Sequence, residues 1–153
     1  MKISHIMRKH IVIAGIDSTV SDLLPLFFEK RLNSLPILDK KHTLVGIVVR
    51  EDVLKLLYPN HEEYVREMLS SGTLDVFDKD FSEVLQVKTK EIMKTDLLTA
   101  NPTTPVMQAL AKMIAHHIDQ LPVVKENGTL VSIVTKADIF YALYKANKKR
   151  IHR

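Results

Sequence analysis

The sequence has no cysteine, and only four of its 153 residues are glycine. Without cysteine, the chain forms no disulfide bond, no thiolate zinc site and no cysteine nucleophile. The glycines, Gly15, Gly46, Gly72 and Gly128, are too widely spaced to build a G-x-G-x-x-G turn or a P-loop around a phosphate. No nucleophile elbow is present. The sequence therefore contains no recognisable catalytic motif, and we do not expect an enzyme.

Long apolar runs are also missing. The longest, such as LLPLFF, are far below the roughly 20 residues that a membrane span needs. The opening segment MKISHIMRKH contains no apolar core of the length that a secretory signal requires. We therefore expect a cytoplasmic protein without a membrane partner.

Positive charge is concentrated at one end of the chain. The formal net charge is +4, but the tail at 145–153 alone carries five lysine and arginine residues, so the remainder is close to neutral. Nucleic-acid-binding proteins usually carry a basic face across the body, and we therefore do not expect nucleic acid as a partner. The tail is more typical of a solvated helix end whose cations suit the C-terminal dipole. An accessory contact between this tail and nucleic acid is the alternative.

Most of the sequence is duplicated. Short motifs recur at a constant distance of 86 residues, with no gap between residues 6 and 54. A register kept over that length indicates an internal repeat. The recurring motifs are Ile6-Met7 and Ile92-Met93, Leu35-Pro36 and Leu121-Pro122, Thr43-Leu44-Val45 and Thr129-Leu130-Val131, Ile47-Val48 and Ile133-Val134, and Asp52 and Asp138.

Each copy has the same predicted order of elements: strand, helix, two strands and helix. IVIA and LLTA are predicted short strands, LPIL with LVGIVV and LPVV with LVSIVT are predicted hairpins, and closing helices begin near Arg50 and Lys136. In the second copy, Thr104 and Pro105 are typical of an N-cap followed by proline at the first helical position. The first helix of each copy has an apolar stripe of helical period. The stripes are Val20, Leu23, Leu24, Phe27 and Phe28, and Val106, Ala109, Leu110, Met113 and Ile114.

The predicted fold class is α/β, with two β-α-β-β-α repeats packed sheet to sheet as a pseudo-two-fold module. One repeat of about fifty residues could scarcely bury both faces of its sheet, whereas two together could. We place the first repeat at 1–57, a helical connector at 58–87, the second repeat at 88–144 and the basic tail at 145–153. Within the connector, HEEYVREML and FSEVLQ have helical character.

The segment TKAD, from Thr135 to Asp138, lies where the last strand turns into the closing helix. One interpretation is structural: Thr135 caps the helix and Asp138 settles its first turn. The other is a binding site, because a helix start attracts phosphate and a carboxylate accepts hydrogen bonds from two vicinal ribose hydroxyls. The first copy keeps Asp52 but has Val49 in place of the threonine, so the two helix starts are not equivalent.

The order of motifs, with an Ile-Met opening, Leu-Pro before the hairpin and Gly-Ile-Val-x-x-x-Asp after it, resembles the cystathionine beta-synthase (CBS) domain. Two such domains in tandem form a Bateman module, and the resemblance covers nearly the whole chain. It implies a stand-alone regulatory module, without a catalytic domain or catalytic cofactor, that senses an adenosine compound such as AMP, ADP, ATP or S-adenosylmethionine. It also implies a homodimer formed through helix faces and a signal passed to an unidentified protein target.

The resemblance assigns ligand contacts position by position. The second copy, with its complete Thr-x-x-Asp phrase, implies the main nucleotide site, and the first copy, which departs from the pattern at Val49, implies a weaker or empty one. The main-site residues are Leu98, Thr99, Ala100 and Pro122 beside the base, Gln120 near phosphate, and Thr135, Lys136 and Asp138 for ribose and phosphate. The weaker-site residues are Ile13, Ala14, Pro36, Arg50 and Asp52. A ligand-free dimerisation module is the alternative function.

Histidine patterns predict no metal site. HEEYV begins at His61 like a helical zinc-protease motif, but the position of the required second histidine is Val65. His116 and His117 are neighbours on a predicted helix, one at the surface and one partly buried. Their side chains would point about 100° apart, which is poor geometry for chelating one ion.

Overall fold

The computed structural model of the protein describes residues 1–57, 66, 69–70 and 77–151. The predicted helix HEEYVREML lies outside these residues except at 66 and 69, which are helical. The described part is mixed α/β with two sheets, which confirms the predicted class. Its elements are a 3₁₀ turn (Ile3–His5), β1 (Ala14–Gly15), α1 (Val20–Phe28), β2 (Ser34–Leu38), β3 (Leu44–Val49), α2 (Arg50–Leu57), α3 (Phe77–Leu85), α4 (Thr89–Ile92), α5 (Val106–Ala115), β4 (Gln120–Val124), β5 (Leu130–Thr135) and α6 (Lys136–Ile151).

The chain divides into two compact units. The repeat-2 unit contains residues 1–11, 41–44 and 96–153, and the repeat-1 unit contains residues 12–40 and 45–95. Each unit therefore combines most of one repeat with the leading segment of the other, because the two Ile-Met motifs are exchanged between the units. This exchange was not predicted from the sequence.

In the repeat-2 unit, β4 and β5 form an antiparallel hairpin in which Gln120 faces Thr135. Ala100 forms a single parallel bridge to the other edge of β4, so the predicted strand LLTA is reduced to one paired residue. Helices α5 and α6 cover the sheet together with the leading segment. The core contains Ile3, Ala100, Val106, Ala109, Leu110, Met113, Leu121, Val123, Val134 and Ile139, with Ile6 and Met7 packed against it.

The leading segment is fixed in the repeat-2 unit near both of its ends. The Ile3 N–H donates a hydrogen bond of 2.9 Å to the carbonyl of Thr104, and the Ile3 side chain is fully buried. The hydroxyl of Ser132 donates a hydrogen bond of 3.1 Å to the carbonyl of Arg8. These contacts place the side chain of Arg8 beside the helix start of α6.

In the repeat-1 unit, β2 is the middle strand of a three-stranded sheet and pairs in parallel with β1. The leading segment of the second repeat joins the repeat-1 unit at Lys94, whose backbone exchanges hydrogen bonds of 3.0 and 2.8 Å with Ile47. Gly46 permits the close approach of Met93, because a Cβ at Gly46 would lie 2.5 Å from its sulfur. The core contains Ala14, Val20, Leu23, Phe27, Leu35, Ile37, Val48, Val53 and Val84, with Ile92 and Met93 packed against it.

The predicted start of α5 is wrong by one residue. The helix begins at Val106, with Pro105 in the N-cap position. Thr104 does not cap it, since its hydroxyl oxygen accepts a hydrogen bond of 3.0 Å from the Asn101 N–H. Local turn bonding of this kind competes with capping.

The apolar stripes of α1 and α5 are buried except at Leu24, which is half-buried, and at their last position. Phe28 and Ile114 are exposed. Each lies at or next to the end of its helix, and a residue eight positions after the first stripe residue has rotated towards the edge of the buried face.

The prediction that His116 and His117 are neighbours on the helix, one of them partly buried, is wrong. Helix α5 ends at Ala115, His117 has a positive φ of 53°, and both side chains are exposed. The described residues contain no group of three or more His, Asp or Glu side chains placed to hold a metal ion.

Helices α3 and α6 are longer than the segments predicted for them. Helix α3 includes most of FSEVLQ, and α6 continues through the basic tail as far as Ile151. None of the helices in the described ranges is long and apolar enough to cross a membrane.

Candidate functional site

The start of α6 is held by reciprocal hydrogen bonds between Thr135 and Asp138. The backbone N–H and the hydroxyl of Thr135 donate to Oδ2 of Asp138 at 2.9 and 2.8 Å. In return, the Asp138 N–H donates to the Thr135 hydroxyl oxygen at 3.0 Å. This is a capping box with aspartate in the place of the usual glutamate. The capping arrangement considered from the sequence is therefore formed.

Arg8 is the second partner of Asp138. Its Nη2 donates to Oδ1 at 2.9 Å, and its Nε lies 3.3 Å from both carboxylate oxygens. Partial burial acts to raise the pKa of Asp138, but the hydrogen bonds from Arg8 and Thr135 and the charge of Arg8 outweigh it and hold that pKa below its usual value. Asp138 is therefore ionised at neutral pH, and both of its oxygens are engaged.

The corresponding helix start of the first repeat is incompletely paired. Val49 has no hydroxyl, and Oδ2 of Asp52 is a buried atom without a hydrogen-bond partner. Two ammonium groups lie nearby, Lys94 Nζ at 3.6 Å from Oδ2 and Lys55 Nζ at 3.9 Å from Oδ1. Both distances exceed those of hydrogen bonds. Because an orphaned buried acceptor costs free energy, this helix start has acceptor capacity for an additional donor.

Arg8 and Lys94 were not predicted as site residues. Each directly follows an Ile-Met motif, and each contacts the helix-start aspartate of the other repeat within one compact unit. The available signal was two cations in the same 86-residue register. Local patterns could not reveal the pairing, because Arg8 and Asp138 are 130 residues apart in the chain.

Two further residues of the predicted main site lie at the same end of the hairpin as Thr135. Gln120 faces Thr135 across β4 and β5. Lys136 is engaged with Asp119, which accepts a hydrogen bond of 3.1 Å from its Nζ and one of 3.2 Å from its backbone N–H. The ammonium of Lys136 is therefore held by Asp119 at the start of α6.

The residues assigned to the base lie along the other edge of β4. The Ala100 N–H donates to the carbonyl of Pro122 at 2.9 Å, and both residues are buried. Leu98 and Thr99 precede Ala100 and are half-buried. Because this segment runs parallel to β4, Leu98 lies nearer to the Gln120 end of the sheet than Ala100 does.

The residues of the predicted weaker site occupy equivalent positions in the repeat-1 unit. Ala14 and Pro36 are buried on the parallel strands β1 and β2, whereas Ile13 is exposed. Arg50 begins α2, and its N–H donates to the carbonyl of Asn33 at 2.9 Å. The structure thus brings the strand residues of this set into one sheet, with Asp52 on the following helix.

A cleft of about 290 Å³ lies at the opposite end of β4. It shares Thr99 and Ala100 with the predicted main site, but Thr135, Lys136 and Asp138 do not line it. Its lining residues are Thr99, Ala100, Asn101, Thr104, Lys112, Val124, Lys125 and Glu126. The cleft and the helix start of α6 are therefore separate features.

The family profile of the CBS domain matches two stretches of the chain, residues 3–59 and 89–145. Each stretch contains one Ile-Met motif and one helix-start aspartate. The chain belongs to the CBS domain family. Its two CBS domains form the tandem pair that the sequence resemblance implied.

Curated proteins similar to this chain differ in the share of their length that it covers. An uncharacterized protein of Methanocaldococcus jannaschii is 29% identical over 94% of this chain and 91% of its own length. The chloroplastic CBS domain-containing protein CBSX2 of Arabidopsis thaliana is 28% identical over 88% of this chain and 59% of that protein. An inosine-5′-monophosphate dehydrogenase of Korarchaeum cryptofilum is 30% identical over 90% of this chain, which spans only 23% of the dehydrogenase. The region similar to this chain is therefore nearly all of one relative and a minor part of another.

Solved CBS pairs have the same fold. The crystal structure of CBSX2 in complex with AMP gives a TM-score of 0.74 at 22% identity, over 95% of this chain and 98% of that one. The CBS domain pair of the protein MJ0100, in complex with 5′-methylthioadenosine and S-adenosyl-L-methionine, gives a TM-score of 0.68 at 23% identity, over 95% of this chain and 98% of that one. At these identities the likeness establishes the fold.

Proposed function

We propose that this CBS pair is a regulatory module that binds an adenosine compound, either AMP, ADP, ATP or S-adenosylmethionine, and signals its occupancy to a protein target. Two structures with the same fold contain ligands of this class, one with AMP and one with 5′-methylthioadenosine and S-adenosyl-L-methionine. Those ligands share an adenosine group, and the proposal rests on recognition of that group.

The helix start of α6 carries the proposal. The N-terminus of a helix attracts phosphate through its dipole and its N–H groups. At α6 the N–H groups of Lys136 and Asp138 already donate to Asp119 and Thr135, so the attraction rests on the helix dipole and on the ammonium of Lys136, which is paired with Asp119. Asp138 is ionised, and Thr135 fixes its orientation through the capping box. A fixed carboxylate beside a phosphate-attracting helix start suits a ribose phosphate, with Gln120 on the facing strand as a neutral donor.

The base would lie against the segment beside β4. Leu98, Thr99, Ala100 and Pro122 are half-buried or buried, and they offer apolar surface together with backbone groups for an adenine ring. The first repeat supplies a second, weaker site from Ile13, Ala14, Pro36, Arg50 and Asp52. It is weaker because Val49 provides no hydroxyl to orient the carboxylate.

Signalling requires no catalytic group in this proposal. A ligand changes a conformational equilibrium only when its affinity differs between the two conformations. We expect an adenosine compound to favour one packing of the two repeats, and the target protein to distinguish that packing from the ligand-free one.

Alanine substitution of the two aspartates tests the proposal. Asp138→Ala should lower the affinity for AMP, ATP or S-adenosylmethionine by tenfold or more, since loss of a charged acceptor costs about 1.5–3 kcal/mol. Asp52→Ala should lower it less. Isothermal titration calorimetry of each variant measures the difference, with the exposed Asp96→Ala as matched control.

The alternatives give different results. If Asp138 serves only the capping box, Asp138→Ala lowers the thermal midpoint and leaves the affinity unchanged. Equal losses in both variants would mean that the two sites bind equally well. Absence of binding by the unmodified protein would favour the ligand-free interaction module.

Self-association is a second candidate function, favoured by apolar side chains on the repeat-2 unit. Helices α5 and α6 pack against each other and leave large apolar side chains exposed. They are Met107, Ile114, Phe140, Tyr141 and Tyr144. Surfaces of this kind mark interaction sites, and we propose that a second copy of the chain covers them in a homodimer.

Sedimentation equilibrium tests the homodimer at tens of micromolar protein, roughly the range in which a modest interface assembles. The unmodified protein should sediment as a dimer, and Phe140→Glu with Ile114→Glu should shift it to the monomer. Lys40→Glu, at an exposed position in the repeat-1 unit, is the matched control. A purely monomeric unmodified protein would contradict the proposal.

A further inference from the structure

The carboxylate that we assign to ribose binding is already saturated with hydrogen-bond donors. An ionised carboxylate offers about four acceptor positions. At Asp138, the N–H and hydroxyl of Thr135 occupy two of them, at 2.9 and 2.8 Å. Both of those bonds go to Oδ2, and the Nη2 and Nε of Arg8 occupy the positions on Oδ1, at 2.9 and 3.3 Å. Two ribose hydroxyls can therefore bind only after a present donor leaves.

Arg8 is the donor that can leave. Thr135 lies three residues from Asp138 and its departure would break the capping box of α6. Arg8 approaches Asp138 only through its side chain, which is 55% exposed. A guanidinium released from this contact regains hydrogen bonds to water, and exposed ion pairs of this kind are weak.

We propose that Arg8 determines the affinity of the second-repeat site, because its guanidinium occupies the ribose positions of Asp138 and is displaced when an adenosine compound binds. The inference rests on the proposed function. It does not extend to the first repeat, where Lys94 Nζ lies 3.6 Å from Asp52 Oδ2 and that oxygen has no hydrogen-bond partner. The duplicated cation therefore competes for the aspartate in one repeat only.

Displacement of Arg8 also connects the site to the leading segment. Besides this ion pair, Arg8 is held by the hydrogen bond from Ser132 to its carbonyl. A ligand at Asp138 removes the side-chain contact and leaves the backbone contact in place. Ligand occupancy thereby changes how the end of segment 1–11 is attached, which is a local difference between the free and bound states of the kind that signalling needs.

Arg8→Gln tests the inference, with Lys9→Gln as the matched control that removes the same charge from the next residue. The probe is adenosine, a neutral ligand with no Coulomb attraction to either cation. Binding is followed at the NMR amide signals of Thr135 and Asp138, which isolate the second-repeat site. Arg8→Gln should tighten binding about two- to fivefold (about 0.5–1 kcal/mol, the value of an exposed ion pair), and Lys9→Gln should leave it unchanged.

Two further measurements separate competition from a structural effect. Raising the salt concentration should tighten adenosine binding to the unmodified protein, because screening weakens the ion pair, and should not do so in Arg8→Gln. Arg8→Lys retains the charge but loses the planar guanidinium, so its affinity for adenosine should lie between those of the unmodified protein and Arg8→Gln. Arg8→Lys also serves if Arg8→Gln fails to fold.

The outcomes are distinguishable. If the unmodified protein binds adenosine and neither Arg8 variant binds it more tightly, the role of Arg8 is overturned and the proposed function stands. If the Asp138 pKa rises in Arg8→Gln while the affinity is unchanged, the ion pair exists without competing, and the inference is again overturned. If neither the unmodified protein nor the Arg8 variants bind adenosine at millimolar concentration, this inference fails. The proposed function fails as well only if the unmodified protein binds none of AMP, ATP and S-adenosylmethionine.

Discussion

At the N-cap position the two helix starts differ by one hydroxyl, Val49 against Thr135, and exchanging that hydroxyl tests the capping box directly. Thr135→Val removes two hydrogen bonds, the hydroxyl donor to Asp138 Oδ2 at 2.8 Å and the acceptor for the Asp138 N–H at 3.0 Å. Val49→Thr offers both bonds to Asp52, whose Oδ2 has no hydrogen-bond partner. Valine and threonine are similar in size, so the exchange disturbs packing little.

The expected magnitudes follow from these bonds. Loss of an N-cap side chain costs about 0.5–2 kcal/mol, and bonds to a charged acceptor lie in the upper part of the range. Thr135→Val should therefore lower the free energy of unfolding by about 1–2 kcal/mol. Val49→Thr should raise it by about 0.5–1.5 kcal/mol, the smaller value reflecting the lost hydration and rotational freedom of the new hydroxyl.

Urea unfolding at neutral pH and fixed protein concentration measures both variants, and 1 kcal/mol corresponds to about 2–4 °C in Tm for a chain of this size. The slope of the free energy of unfolding against urea concentration must be the same in all variants for their free energies to be comparable. Because Thr135 bonds to Asp138 and the new hydroxyl at residue 49 would bond to Asp52, the two substitutions share no hydrogen-bond partner, and the double variant should show additive effects. A Thr135→Val variant as stable as the unmodified protein would refute the reasoning, as would a clearly destabilised Val49→Thr.

Three other predictions concern pH, a hairpin turn and the tail. In the folded protein the pKa of Asp138 lies below the value of about 3.9 for the unfolded chain. The ionised carboxylate therefore stabilises the fold above that pH, and this stabilisation is lost as the pH falls through the folded pKa. Below about pH 4, urea midpoints should fall less steeply with decreasing pH in Asp138→Asn than in the unmodified protein. His42 has φ 61° where the second repeat has Gly128 at φ 82°, so His42→Gly should raise the free energy of unfolding by up to about 1 kcal/mol, whereas Lys40→Gly should lower it. Deletion of residues 146–153, whose described side chains are exposed, should leave the thermal transition and the affinity for adenosine unchanged; a large fall in Tm would show that the tail is packed.

The elements of each repeat were predictable because local periodicity encodes them. Val20, Leu23 and Phe27 recur at helical spacing, and they are the residues that α1 buries. The three-residue spacing of Thr135 and Asp138 likewise predicted the capping box. Thr104 misled because Asn101, three residues earlier, engages its hydroxyl, and such a local competition is invisible to a capping pattern.

The contacts across the chain were not predictable from one sequence. Arg8 reaches Asp138 only because residues 1–11 pack in the repeat-2 unit, and no periodicity reports which unit a leading segment joins. The register of Arg8 and Lys94 was visible, but their partners were not. The assignments of Leu98 and Gln120 to an adenosine ligand remain predictions.

The exchange of leading segments has a consequence for the synthesis of the chain. Ile3 is a core residue of the repeat-2 unit, and its neighbours in that core lie between Ala100 and Ile139. Residues 1–11 leave the ribosome before residues 96–153, which complete the unit that receives them. Contacts between segments so distant in the chain slow folding. A fragment of residues 1–57 would carry Ile3 without its core, and a fragment of residues 88–153 would lack the side chain that completes its core. The duplication has thus produced a chain whose halves each depend on the other to fold.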